Sequence, residues 1–346
     1  MKTAPQTQRA MAVWLFLLAA MIFAMVVLGG VTRLTHSGLS MVEWRPLFGV
    51  LPPWGEAAWQ RVFQQYQQFP EYRKINFAMT LAEFKRIFLF EYSHRVLGRA
   101  LAIAFALPFL YFLLRRRISW RLAPRLAVMF VLGGLQGMLG WYMVKSGLVE
   151  RPDVSPYRLA AHLGLAVIIY GYVFWTAMRL LGPRRRPASI AGAGRKLRIG
   201  APVLAALVFL TILSGGFVAG NDAGLAYNSF PLMDGRFVPA DIFRLEPGWR
   251  NFFENLPLVQ LDHRLLALLA VFAIFALWLA SLRAPLSLGA RRAFGAWAAL
   301  AAVQLALGIA TLLLFVPVPL GAAHQAGALL TFTAALWSCH EISRRD

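Results

Sequence analysis

The chain is short of most of what a water-soluble enzyme is built from. It has a single cysteine, Cys339, in 346 residues. One thiol closes no intrachain disulfide and builds no cysteine-based metal site. Set inside an apolar run, it reads as packing. Charged residues make up only 14% of the chain, where a soluble domain averages about a quarter. Acids are the scarcer sign, 15 against 35 Lys and Arg. The resulting net charge of +20 invites a nucleic-acid reading, which the distribution excludes. The basic residues lie in short loops between apolar runs, as membrane orientation signals do, and no basic face on a soluble domain is visible.

What fills the chain instead is hydrophobic residues, 59% of it, the composition of a polytopic membrane protein. Apolar runs of bilayer-crossing length fall near 11–31, 94–114, 126–146, 159–181, 200–219, 261–282, 293–316 and 319–339. The first is too long for the apolar core of a signal peptide and is kept as a span. The expected fold is an all-α integral membrane protein of eight transmembrane helices. The Lys and Arg excess falls on the side holding both termini, which puts them in the cytoplasm. The two long loops, about 32–90 and 220–258, then face outward. They carry aromatics and prolines, as in Trp44-Arg45-Pro46-Leu47-Phe48 and Phe230-Pro231-Leu232-Met233-Asp234-Gly235, and are expected to fold over the helix ends as a lid. Residues 80–91 have helical spacing and are expected to run as an interfacial helix into the second span.

The two halves repeat. Gly29-Gly30 and Gly38-Leu39 match Gly215-Gly216 and Gly224-Leu225 at an offset of 186; Gln136 and Gly140 match Gln304 and Gly308 at 168; His94-Arg95 matches His263-Arg264 at 169; Ala160-Ala161-His162 matches Ala322-Ala323-His324 at 162. The expectation is two duplicated four-helix bundles in parallel orientation, divided as 1–190 and 191–346.

Four of the six histidines fall on equivalent spans: His94, His162, His263 and His324. Each bundle thus holds two, near the outer ends of different helices. Neutral imidazole enters a membrane more cheaply than a carboxylate or an ammonium group. A facing pair in a four-helix bundle suits a six-coordinate heme, with iron between two imidazoles. A lone membrane histidine is more often a satisfied packing residue; four in duplicated register argue for iron ligands. Zinc would need carboxylate or thiol ligands, which are missing beside His162 and His324. Arg95 and Arg264 each follow a histidine and can neutralise heme propionates, with interfacial snorkelling as the plainer alternative. Glu91 lies three residues before His94 and shares its face; the second half has Gln260 there, which cannot titrate. An acid beside one cofactor and not the other is expected where one heme is acted on and the other passes electrons. Spacing alone leaves equally open that Glu91 merely pairs with Arg95. His36, whose counterpart is Asp222, reads as a loop or pocket residue, and His340 as solvated at the cytoplasmic end.

The stretches Gly29-Gly30-Val31-Thr32-Arg33-Leu34-Thr35-His36-Ser37-Gly38-Leu39-Ser40, Val42-Glu43-Trp44, His94-Arg95-Val96-Leu97-Gly98-Arg99, Asp222-Ala223-Gly224-Leu225-Ala226-Tyr227-Asn228 and Phe230 to Gly235 resemble the heme A synthase family, in the form shared by proteobacteria and mitochondria. The resemblance covers nearly the whole chain. It implies oxidation of the C8 methyl of heme O to a formyl group by two hydroxylations and a dehydration, with heme b as cofactor. It also implies His263 and His324 as heme b ligands, His94 and His162 as the pair receiving heme O, and Glu91 as catalytic. The cysteine pair of the Gram-positive form is absent. Implied partners are heme O, heme O synthase, a membrane electron acceptor and the bilayer. The implied place is the bacterial inner membrane, with the heme sites towards the periplasm; a homo-oligomer stays open. Two other readings compete: a bis-heme electron-transfer protein of cytochrome b type, and a transporter using the histidines as proton carriers.

Overall fold

The computed structural model describes residues 5–42, 51–147, 154–181 and 193–343. The expected lid motif around Trp44 to Phe48 lies outside them. The described residues are helical, with one isolated bridge between Met233 and Arg236 as their only extended pairing. Eight helices are long: α1 (Pro5–Leu34), α4 (Leu81–Leu114), α5 (Ala123–Gly147), α6 (Pro156–Leu180), α7 (Ala193–Gly220), α9 (Leu256–Leu282), α10 (Leu288–Leu313) and α11 (Val318–Ser343). Three short ones, α2 (Glu56–Tyr66), α3 (Pro70–Lys74) and α8 (Asn251–Glu254), belong to the two long loops.

Among the described residues, seven helices are long and apolar enough to cross a membrane. The exception to the expected eight is α11. It has the length, at 26 residues, but His324 and Gln325 in one stretch, and the hydroxyls further along, lower its hydropathy. The residues that make it interesting are the ones that weaken its membrane signal.

The helix starts are written locally. Thr80 accepts from the Glu83 amide while Glu83 reaches back to the Thr80 amide, a reciprocal cap. It opens α4, which runs unbroken for 34 residues, so the expected interfacial helix and the second span are one element. Asn255 caps α9, with Pro257 in its first turn, and Ser287 caps α10. After α1 and α7 the chain turns at His36 (φ 49°) and Asp222 (φ 53°). These residues are 186 apart, so the duplication extends to the left-handed turn.

The packing has the same logic in both halves. Helix α1 packs on α4 and α6, and α5 on α6; α7 packs on α9 and α11, and α10 on α11. The halves meet through α6 against α7 and α1 against α11. The largest buried cluster sits at that junction, with Leu15 of α1, Val167 of α6, Leu197 of α7 and Leu329 of α11 all nearly inaccessible. One contact breaks the pattern. Helices α9 and α10 pack directly, while α4 and α5 make no comparable contact. They meet through the rings of Phe105 and Phe130, 6.4 Å apart.

The long loops are folded. Phe63 and Tyr66 of α2 bury against Phe84 and Phe88, in the first turns of α4, with Met41 and Val42 alongside. Tyr66 donates to Glu71 at 3.0 Å and accepts from Asn76 at 2.8 Å. Burial, and then the Glu71 charge, push its phenol above the usual range. In the second loop Asn251 is fully buried and binds the backbone of Arg244, Leu245 and Gly248.

Candidate functional site

Each of the four histidines stands over a glycine of a neighbouring helix. His94 lies 3.2 Å from where a Cβ on Gly29 would be, and His263 3.1 Å from that of Gly215. For His162 over Gly140 the distance is 2.9 Å, and for His324 over Gly308 it is 2.7 Å. At the last two positions any side chain would drive the imidazole away. Only glycine lets an imidazole come this close to the helix next door.

Glutamines hold the histidines of the fourth helix in each half. The Gln136 amide donates to the His162 carbonyl at 3.1 Å and lies 3.4 Å from its Nε2. The Gln304 amide donates to the His324 carbonyl at 2.9 Å and lies 3.0 Å from its Nδ1. The Ser214 hydroxyl lies 2.8 Å from His263 Nδ1, which leaves Nε2 of that ring for a ligand. At the offset of 186 the first half has Leu28, so His94 has no such hydroxyl. Sequence reasoning missed Ser214. Its only signal was a polar residue directly before the duplicated Gly215-Gly216.

The two pairs therefore differ. The rings of His263 and His324 have centres 6.4 Å apart and planes at 87°. In the first half His162 Nδ1 is buried without a hydrogen-bond partner. The flanking helices differ too. Ala298 and Ala301 of α10 are 3% and 1% exposed, buried among neighbours. Their counterparts on α5 at an offset of 168 are Phe130, 65% exposed, and Gly133, which has nothing within 4 Å of its Cβ position. Gly137, equally open, stands where the second half has Leu305. Beside the second pair α9 packs on α10; beside the first, α4 and α5 make no comparable contact.

Glu91 is buried, and both carboxylate oxygens are engaged. One accepts from the Met41 amide at 2.7 Å and the Ser40 hydroxyl at 2.8 Å; the other pairs with Arg95. The i,i+4 pairing left open by the spacing is thus present. Gln260 holds the equivalent place and accepts from Arg264 at 3.3 Å. Arg95 donates to the Met41 carbonyl, and Arg264 to that of Tyr227, each at 2.9 Å. The Arg264 Nε is buried with no partner, a donor left for an anion.

The remaining histidines separate from these pairs. His36 lies 3.3 Å from Arg33, which also bridges to Asp222 at 2.9 Å. His340 is not solvated as its position suggested. It is 6% exposed, and its ring meets Trp175 edge-on at 5.4 Å. A helix end in a bundle is open only where no neighbouring helix continues, and α6 continues past it. Cys339 is buried beside it, in keeping with packing. Among the described residues no three His, Cys, Asp or Glu side chains converge as a metal cluster would need.

The family described as COX15-CtaA, cytochrome oxidase assembly protein, matches residues 12–336. A heme A synthase of Nitrosospira multiformis is 55% identical over 338 residues, covering 98% of this chain and 95% of that one. The heme A synthase COX15 of Arabidopsis thaliana is 48% identical, covering 98% and 76%. That of Bos taurus is 47% identical, covering 97% and 83%.

Proposed function

The chain belongs to the COX15-CtaA family of cytochrome oxidase assembly proteins, and from that premise we infer a division of labour between its two histidine pairs. It is a heme A synthase, an enzyme that acts on heme O, and a multi-pass membrane protein. Turning a methyl into a formyl group is an oxidation, so the reaction class is oxidoreductase, by two hydroxylations and a dehydration. Our reading is that the first half, residues 1–190, receives heme O, and the second, 191–346, keeps heme b.

One observation carries this division: the second pair is spaced for one metal and flanked by the α9–α10 contact, while the first lacks a comparable contact between α4 and α5. When two imidazoles share one metal from opposite sides, bonds of about 2 Å and roughly 1.1 Å from each nitrogen to its ring centre put the centres about 6 Å apart. The 6.4 Å between His263 and His324 fits, as do the glycine beneath each ring and the Ser214 hydroxyl on His263. His263 and His324 would hold heme b, and the free Arg264 Nε would meet a propionate. Bound there, heme b supplies one-electron redox chemistry. A resident cofactor benefits from closed walls; a substrate that must come and go needs an opening. His94 and His162 orient heme O through its iron, with the gap between α4 and α5 as the apolar way in from the bilayer. Arg95 is the propionate partner of that site. Glu91 is the group that accepts or returns a proton beside the methyl, within a wall formed by the folded first loop.

Eight spans with both termini in the cytoplasm, and the histidine pairs towards the periplasmic side of the inner membrane, complete the reading. The partners are heme O synthase as the source of substrate and a membrane electron acceptor. The cytochrome b reading is disfavoured by the asymmetry, since two resident hemes call for two closed sites. Incubating the purified protein with heme O and an electron acceptor, then extracting the heme, is the test. A formyl-bearing product is expected; heme O recovered unchanged in a preparation holding heme b would sink the reading in favour of the cytochrome.

A further inference from the structure

The segment after α1 is fastened to α4 much as the segment after α7 is fastened to α9. Arg95 holds the carbonyl of Met41, and Arg264 that of Tyr227. Met41 and Tyr227 are 186 apart, the offset that relates α1 to α7. The arginine and the carbonyl are the common part of both fastenings.

The private part is the polarity of the residue four positions before the arginine. The Gln260 amide donates to the same Tyr227 carbonyl at 3.2 Å. An ionised carboxylate has no proton to give. Glu91 therefore binds the other backbone group of the same residue, taking the Met41 amide at 2.7 Å. It also takes the Ser40 hydroxyl at 2.8 Å. Ser40 is fully buried, and its hydroxyl lies 2.8 Å from the Ser37 carbonyl as well. With one proton to share between a carbonyl and a carboxylate, the charged acceptor forms the stronger bond. At the offset of 186 the second half has Ala226, which has no hydroxyl. Ser40 and Glu91 are thus a matched pair found in the first half alone.

We propose that Ser40 is a positioning residue for the reaction: it holds the Glu91 carboxylate in one orientation and, with Arg95, latches the loop after α1 onto α4 just outward of His94. This rests on the reading of the first half as the substrate half. Three donors converge on Glu91, two on one oxygen and Arg95 on the other. Its orientation at the site and the closure of the loop are one structural state. The second half keeps its loop closed through a neutral amide and has no carboxylate to aim.

Two measurements on the purified full-length protein, loaded with heme b, test this. Ser40→Ala is expected to lower kcat for heme O about tenfold, the effect of losing one hydrogen bond to a charged group, with KM and heme b content unchanged. The same variant should speed hydrogen exchange at the Met41 amide by about tenfold, with exchange at Tyr227 unaltered. Ser40→Thr keeps the hydroxyl and should restore most of both. Ser40→Cys, close in volume with a weak donor, should fall between, and it stands in if the Ala variant does not accumulate. Unchanged Met41 exchange removes the latch. Faster exchange with undiminished kcat removes the positioning role. If the wild-type protein converts no heme O, the functional reading fails, and Met41 exchange alone decides whether the latch exists.

Discussion

Gly308 constrains the candidate heme b site as tightly as any polar residue near it. A methyl there would stand 2.7 Å from the His324 ring, well inside contact distance, and overpacking of this kind costs about 1–3 kcal/mol. Gly308→Ala is therefore expected to lower heme b content while the protein still accumulates in the membrane, read from the absorbance spectrum of the purified protein. His263→Ala should abolish the heme b signal altogether; an unaltered spectrum would take His263 out of the ligand set. At the other pair, Glu91→Gln should retain heme b yet lose heme A formation by roughly a hundredfold or more, the usual scale for removing a general acid or base, and turnover at the wild-type rate would remove Glu91 from the chemistry. The histidines and Glu91 were legible in the sequence because histidine and glutamate are rare in apolar runs and recur, or fail to recur, at fixed offsets. Ser214 was not legible. Hydroxyls in membrane helices commonly bond back to their own backbone, as Thr211 does to Leu207, and spacing does not separate that use from a bond to His263.

At the scale of elements, corresponding helices pair in the two halves, and the side chains decide how closely. Helices α5 and α10 descend from one pattern, sharing Gln136 with Gln304 and Gly140 with Gly308. They part at Gly133 against Ala301 and Gly137 against Leu305, where the second half fills space that the first leaves open. If the opening between α4 and α5 admits heme O, filling it from the α5 side should hinder loading and little else. Gly137→Leu, alone or with Gly133→Ala, is expected to raise KM for heme O several-fold and leave the heme b spectrum as in the wild type. An unchanged KM would mean that substrate arrives by another way. That gap could not be read in advance from the sequence. Glycine in a membrane helix usually marks close packing, as it does at Gly140, and only the missing partner at Gly133 and Gly137 reverses its meaning. The helical spacing of residues 80–91, by contrast, was legible as a helix running into the second span, and α4 opens at the Thr80 cap and continues through that span.

For the whole molecule, geometry bears directly on the number of crossings. The His324 ring on α11 lies 6.4 Å from the His263 ring on α9, so the two helices share one depth at that point. Helix α11 has 26 residues, about 39 Å at 1.5 Å per residue, against a hydrocarbon core of about 30 Å. A helix that long, packed on α10 and α7 and starting near the depth of α9's N-terminal end, has the length to emerge on the far side. Its polar residues are tolerable because they face protein: Gln325 donates to the Val26 carbonyl at 3.1 Å, and Thr333 pairs with Tyr170 at 2.6 Å. Eight crossings put the end of α11 on the same side as the turn between α4 and α5; seven put it on the opposite side. In a Cys339→Ser background, Ser343→Cys and Arg116→Cys should therefore react with a membrane-impermeant thiol reagent from the same face. Both should be shielded in intact spheroplasts and labelled once the membrane is opened. Labelling of Ser343→Cys, with Arg116→Cys protected, would mean that α11 does not cross. The parallel relation between the two halves would then fail with it, since each half must cross an even number of times to repeat in the same orientation.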